Sequence, residues 1–397
     1  MEEKVSSQAY TLNQLIQYFF KLGYSGFGGP VALVGYMHRH LVEERKWISE
    51  EEYKDGLALA QLAPGPLAAQ LGIYLGYVHY KVLGATLCGL AFVLPSFVMV
   101  VIIGIAYKMF GGLPWMQAVF YGVGAAVVGI IIISSYKLTE KSISKFNAKA
   151  ITKNWLLWLF FIVAAVVTII TQQEDVLIFV AAGLIYMFLK APPNWIKKSS
   201  VANTIFLFQT GFWQFELGTL GKIAWFFTKA GAFVFGSGLA IVPFLHGGVV
   251  TEYKWLTEHE FIDAVAVAMI TPGPVVITVG FIGYLVAGFP GAAIAALATF
   301  LPCYLFTVIP APYFRKYGRN PSIKAFVDGI TAAVIGALAG AVIVIAIRTI
   351  KDIPTALIAL VTVIILLRTK KVKEPHIILV AALLGLVLKL LEEFIKG

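Results

Sequence analysis

Between Asp263 and Arg315 the chain runs through residues 264–314, 51 in a row, without one Asp, Glu, Lys or Arg. Shorter charge-free runs lie between Asp55 and Lys81, Lys81 and Lys108, Lys108 and Lys137, Lys153 and Glu174, and Lys229 and Glu252. A bilayer core of roughly 30 Å takes about 20 apolar residues as helix, so these runs predict transmembrane helices or pairs of them. They are too long for the strands of a membrane barrel, which alternate in units of roughly 10 residues. Composition agrees. Of 397 residues 59% are hydrophobic and only 13% charged, against about 25% charged in a soluble domain. The expected fold class is an all-α polytopic membrane protein.

Several function classes drop out on the same reading. The start, MEEKVSSQAYTLNQ, is acidic and polar, so no cleaved signal peptide is expected. Cys88 and Cys303 sit far apart in apolar segments without metal-ligand spacing and read as packing residues. The net charge of +10 comes mostly from Lys and Arg that punctuate the helices. Cytoplasmic loops facing anionic lipid explain that better than a nucleic-acid surface. No His/Glu cluster, GxSxG elbow, intramembrane aspartate pair or Walker loop stands out. An enzyme, a metal, a cofactor and ATP drive are therefore not expected.

The strongest internal feature is a repeat. Ala63-Pro64-Gly65-Pro66 returns as Thr271-Pro272-Gly273-Pro274, and an ungapped shift of 208 from Gly23 to Gly72 matches 19 of 50 positions. Matches that include Trp47 with Trp255 and His38 with His246 place two homologous halves on one chain. A shift of 207 then carries Leu94-Pro95, Gly122 and Gly129 onto Leu301-Pro302, Gly329 and Gly336. The expected organisation is a first repeat over 1–138, a basic loop, linking hairpin and connector over 139–219, a second repeat over 220–348, and C-terminal helices over 349–397. Both ends of the linking hairpin are basic, so the second half is expected to enter from the face where the first ended. A broken span at Pro-Gly-Pro gives four crossings per half and a parallel repeat. A re-entrant hairpin or two short spans gives three or five and an inverted one. Inverted repeats with broken helices are common among secondary transporters, which favours inversion.

With both halves laid out, the sequence resembles the chromate ion transporter family. The resemblance rests on Phe27-Gly28-Gly29-Pro30, Trp47, Ala63-Pro64-Gly65-Pro66 with Gln70 and Gly72, and on Phe235-Gly236-Ser237-Gly238, Trp255 and Thr271-Pro272-Gly273-Pro274. It covers nearly the whole chain. It implies a transporter that moves chromate outward, with sulfate as the related natural anion, and halves of opposite orientation. Gly-Ser-Gly stands in the second half where the first has Gly-Gly-Pro, so the halves are not expected to supply identical ligands.

A tetrahedral dianion must lose water and gain donors, and a helix start offers free N–H groups and a dipole of about half a positive charge. Pro66 suits the first helical position, leaving the N–H groups of Leu67 and Ala68 to face the gap. Gly65 lets an anion approach the backbone closely. Pro272, Gly273 and Pro274, followed by Val275 and Val276, repeat the device, and Pro30 behind Gly28 and Gly29 offers another. A lone proline reads as a packing kink, but a repeated pair of breaks favours a site. Gln70 and Thr278 occupy matching positions one turn on, while Ser25 and Ser237 flank the other breaks and Tyr77 and Tyr284 match further along. A lone hydroxyl in an apolar helix usually bonds its own backbone. Lys21 and Lys229 repeat seven residues before the glycine pair, and could attract the anion or snorkel to the interface. Asp55 and Asp263 are the deepest repeated acids and candidates for coupling, whereas Glu50 and Glu52 read as a solvated first turn behind a Ser49 cap. His38 and His246 read as structural groups at the interface.

The sequence thus predicts a multi-pass secondary transporter of chromate and sulfate-like oxyanions in the plasma (inner) membrane of a prokaryote, working by alternating access. A passive oxyanion channel is the alternative. Its partners are the oxyanion and membrane lipid, with homodimerisation left open.

Overall fold

The computed structural model describes residues 10–27, 29–110, 113–172, 176–193, 218–233, 238, 241–314, 320–369, 372 and 374–396. Among these residues all regular structure is helical. Helix α1 (Leu12–Ser25) starts behind a capping box, in which Thr11 takes the Gln14 N–H and Gln14 returns to the Thr11 N–H. It buries Leu15, Tyr18, Phe19 and Leu22 and stops at Gly26. Helix α2 (Gly29–Met37) then runs into a π-helical turn, His38–Glu44. The two helices are antiparallel neighbours, for the Tyr18 hydroxyl donates to the Tyr36 carbonyl at 3.3 Å and its ring meets His40. The chain has turned back between Gly26 and Gly29.

It turns back again at Pro-Gly-Pro. Helix α3 (Glu50–Leu62) is capped by Ser49, which exchanges bonds with Glu52. Helix α4 (Leu67–Phe110) has 44 residues, about 66 Å if straight and twice a bilayer core. A bend at Lys81 (φ 52°, ψ −141°) resolves the mismatch. The arm before it, 67–80, lies antiparallel to α3: a Cβ at Gly56 would meet the Tyr74 ring, and Glu52 reaches His79 at 3.2 Å. The arm after it, 82–110, folds back on the first, with Gly76 set against the Gly84 carbonyl. Only a glycine allows backbones that close.

After α5 (Pro114–Ser142), the short α6 (Ala148–Lys153) and the hairpin of α7 (Trp155–Thr171) and α8 (Val176–Lys190), the same elements return. These are α9 (Thr219–Ala232), α10 (Ile241–His246) with a π-helical turn at Gly247–Glu252, and α11 (Glu258–Ile270) behind a Thr257–Glu260 capping box. A 3₁₀ turn, Val275–Ile277, leads into α12 (Thr278–Val308), bent at Ala287 and Gly288, with Gly283 against the Gly291 carbonyl. Helices α13 (Pro321–Thr349), α14 (Ile353–Arg368) and α15 (Glu374–Lys396) complete the chain. By length and composition five helical segments among the described residues can cross a membrane: Leu67–Phe110, Pro114–Glu140, Val275–Tyr313, Pro321–Thr349 and Glu374–Leu391.

Contacts of the α7–α8 hairpin relate the two sets of elements. Because α1–α2 and α3 with the first arm of α4 both turn back, only the second arm of α4 and α5 carry the first half across, and they return it to the end where it began. The α7–α8 hairpin also returns there. Yet α9 packs on Trp255, and the neighbouring Glu258 meets Arg348 and, through it, Gln172 of the α7–α8 turn at the opposite end. Arg348 thus ties the Glu258 end of the second set of hairpins to the α7–α8 turn.

The hairpin contacts make a stability prediction. Gly76→Val and Gly283→Val, which force a side chain against backbone, should cost about 1–3 kcal/mol or more and lower the melting temperature in detergent. Gly35→Ala, where a Cβ meets nothing within 4 Å, should leave it unchanged or raise it.

Candidate functional site

The turn-back points meet. The Gly273 N–H donates to the Gly26 carbonyl at 2.9 Å, joining the Pro-Gly-Pro tip of one hairpin to the tip of the α1–α2 hairpin. Ser96, on the second arm of α4, donates to the Gly23 carbonyl at 3.1 Å, and its hydroxyl fills the place a Gly273 side chain would need. Gly65 and Gly273 have φ of 144° and 97°, a region closed to other residues without strain. Pro272, Gly273 and Pro274 are buried, as are Gly65 and Pro66, and Pro64 is half-buried. A Cβ at Gly65 would lie 2.7 Å from the Gln70 amide and 3.1 Å from Cys303 Sγ.

The polar candidates divide. Gln70 is fully buried and its Nε2 donates to the Pro64 carbonyl at 2.8 Å, which fixes the amide and leaves Oε1 without a partner among the described residues. Thr278 and Ser25 bond their own helices, at Val275 and Lys21 carbonyls. The Lys229 ammonium lies over the Trp225 ring, and Lys21 is exposed on α1. Tyr77 and Tyr284 each carry a lysine, Lys81 and Lys108, over the ring. Gly29 opens α2, whereas Gly28, Gly236 and Ser237 lie outside the described residues.

The repeated histidines pin the hairpin mouths. His38 Nε2 lies 2.9 Å from Glu50 and His246 Nε2 lies 2.8 Å from Glu258, each the first residue of the next helix. The His79 hydrogen bond, with two more from Ser49, outweighs partial burial and holds the Glu52 carboxyl at about 2. Burial opposes ionisation of Glu258, but His246 and Arg348 outweigh it and keep that carboxyl below its usual range. Both acids precede the candidate membrane spans.

A cavity of about 850 Å³ opens at the end of the bundle where 255–260 meets the α4–α5 turn. It is lined by Tyr107, Lys108, His259, Glu260, Asp263 and Lys389 among others. Asp263 is 7% exposed and accepts the Tyr107 hydroxyl at 2.7 Å. Tyr107 is held edge-on between Phe120 and Phe281. Asp55, its partner in the repeat, is half-buried on α3. The repeat gives no signal at Tyr107, because Phe314 stands at its matching position. His79 was missed likewise, with Val286 as its match. Among the described residues no group of three or more His, Cys, Asp and Glu could hold a metal ion.

Comparison with known proteins adds a family. The model of the family described as "Chromate transporter" matches residues 13–187 and 221–386. The chain is 64% identical over 386 residues to a protein of Cupriavidus metallidurans named "Chromate transport protein", covering 96% of this chain and 94% of that one. It is 58% identical to a "Probable chromate transport protein" of Synechococcus elongatus, covering 96% of each. A "Chromate transport protein" of Pseudomonas aeruginosa is 29% identical, over 86% of this chain and 83% of its own. No solved structure matches significantly.

The mouth acids predict a pH dependence. With its carboxyl at about 2 when folded and near 4.5 in its ordinary state, Glu52 contributes stability that is complete above the higher value and lost as pH falls through the lower. Glu52→Gln should lower the melting temperature at about pH 6 and flatten its decline between about pH 4.5 and about pH 2. An acid limb identical to wild type would rule out the Glu52–His79 contact as a stabilising pair.

Proposed function

The chain belongs to the chromate transporter family, a family of transport proteins and not of enzymes, and on that premise we propose a secondary transporter of chromate and sulfate-like oxyanions. It works by alternating access between two inverted halves, 1–138 and 220–348, in the plasma membrane of a prokaryote. The observation that carries this reading is the bond from Gly273 to Gly26, which brings two chain reversals together where helix starts can face one anion.

Inversion is supported by the pairing of α4 and α12. Thr86, near the start of the second arm of α4, bonds Tyr304 near the end of α12 at 2.7 Å, while Lys108 near the finish of α4 lies over Tyr284 near the start of α12. This pairing favours mouths that face opposite ends. Lysines 81, 137, 153 and 190 border the first, which supports reading it as the cytoplasmic side although Lys108, Lys254, Arg348 and Lys389 lie toward the other. The large cavity then opens outward.

In this reading Pro64, Gly65, Pro66 and Gln70 form one half of the anion site, and Pro272, Gly273, Pro274 and Thr278 the other, with Gly28, Gly29, Gly236 and Ser237 at the facing tips. The buried, unpartnered oxygen of Gln70 suits a hydrated or protonated oxyanion, which brings it a donor. Lys21 and Lys229 attract the anion, and Asp55 and Asp263 are the coupling candidates. Lipid surrounds the bundle, and a homodimer is compatible with it.

Purified protein in liposomes should carry chromate, and sulfate in competition, with a saturable and gradient-coupled flux. A flux that rises linearly with concentration and ignores gradients would instead mark a channel. Gly65→Ala should lose most of this flux while the protein remains folded, because its Cβ meets the Gln70 amide and Cys303. Wild-type flux in that variant would remove Pro-Gly-Pro from the site.

A further inference from the structure

The outward cavity holds a device that the anion site does not use. Asp263 lies on α11, in the hairpin that ends at Pro272-Gly273-Pro274, and its buried carboxylate borders a space of about 850 Å³. Among the described residues it makes no ion pair, and its bond is to a neutral group, the Tyr107 hydroxyl at 2.7 Å.

Of the other charged and titratable groups around the cavity, Glu260, Lys108, Lys389 and Tyr121 have partners elsewhere. Glu260, one turn earlier on the same helix, accepts the Thr257 N–H and hydroxyl, both at 2.8 Å. Lys108 of α4 lies over the Tyr284 ring at 5.4 Å. Lys389 of α15 lies over Tyr121 of α5 at 4.8 Å, and the Tyr121 hydroxyl donates to Asp352 at 2.7 Å. His259 lines the same space from the first turn of α11, and α12 contributes the apolar Phe281 and Leu285.

We propose that Asp263 and Tyr107 form a proton-loading site, reached from the outer face through this cavity, through which oxyanion export is coupled to proton entry. A phenol can satisfy both states of the acid. It donates to the carboxylate, and with its O–H rotated it accepts from the carboxylic acid, so neither form is left unpaired. The proton added to an Asp263 oxygen comes from hydronium in the cavity, and Tyr107 keeps its own. Loading removes a negative charge from the hairpin whose tip bonds Gly26, which links proton occupancy to the place where the tips meet.

The device belongs to one half. Asp55 matches Asp263, but the residue matching Tyr107 is Phe314, which has no hydroxyl. The proton gradient, acting through this site, then sets the direction of coupled transport.

This proposal rests on the transporter reading, and its test separates the two. Proteoliposomes loaded with chromate are diluted into medium of equal or lower pH, and equal-pH chromate exchange is measured alongside. Wild-type efflux should rise severalfold with the acid-outside gradient. Asp263→Asn should lose that rise while retaining exchange. Tyr107→Phe, which removes the donor to the ionised acid, should keep the rise and move the midpoint of its pH dependence upward by about one unit. A wild type that exchanges no chromate counts against the transporter reading itself. One that exchanges chromate but ignores the gradient overturns the proton site alone. So does an Asp263→Asn protein still accelerated by the gradient, loss of the rise in Asp55→Asn instead, or an unmoved midpoint in Tyr107→Phe. Should Asp263→Asn fail to fold, the Tyr107→Phe midpoint decides.

Discussion

A backbone that reverses inside an apolar slab leaves N–H and C=O groups where no water can take them, and the fold is organised around that difficulty. The bond from Gly273 to Gly26 is its clearest solution, because the open end of one hairpin is satisfied by the open end of another. Ser96 supplies a further donor to Gly23. Glycine is required at the tip for two separate reasons. The backbone there has positive φ, and the volume beside it already belongs to Ser96. Neither hairpin could end at such depth alone. The tips are therefore at once the structural centre and the place where exchanging one partner for another, an anion for a carbonyl, is chemically simplest.

Hairpins that end in mid-fold need firm mouths, or the tips would wander. Each mouth is locked in the same way: a histidine before the turn bonds the first acid of the following helix, a Ser or Thr caps it, and a tryptophan stacks on a tyrosine. A lysine in the left-handed region, Lys46 or Lys254, closes each turn. Motion that leaves these locks intact has to occur where the elements join, at the bends of α4 and α12 and at the tips. That is where alternating access would place it.

Much of this could be read from the amino-acid order. The charge-free runs announced a helical membrane protein, and the recurrence of Trp47, His38 and Pro64-Gly65-Pro66 marked which segments correspond. The self-bonding of Ser25 and Thr278 followed from the ordinary habit of hydroxyls in apolar helices. What could not be read was direction. Pro64-Gly65-Pro66 stops a helix whether the chain goes on or returns, and only contacts between distant residues, such as Glu52 with His79 and Gly56 with Tyr74, distinguish the cases. The cavity was hidden because its residues come from five helices and its central tyrosine has no counterpart in the repeat.

Some matched positions that differ lie at the two Pro-Gly-Pro tips and at the cavity. Gln70 faces Thr278, Ser96 faces Cys303, and Tyr107 faces Phe314 across the repeat. Each substitution alters hydrogen bonding far more than packing. Ser96 gives one tip a donor that a thiol supplies only weakly, Gln70 leaves a buried acceptor at the other, and Tyr107 gives one acid a partner that Phe314 cannot give Asp55. The glycines that let backbones touch, by contrast, are kept in both copies, as Gly76 and Gly283, and Gly84 and Gly291. Close-packed glycines and the His–Glu locks are shared between the copies, whereas these three polar groups are not. Polar groups present in one copy only, such as Tyr107 beside Asp263, let a shared frame hold a site that the other copy lacks.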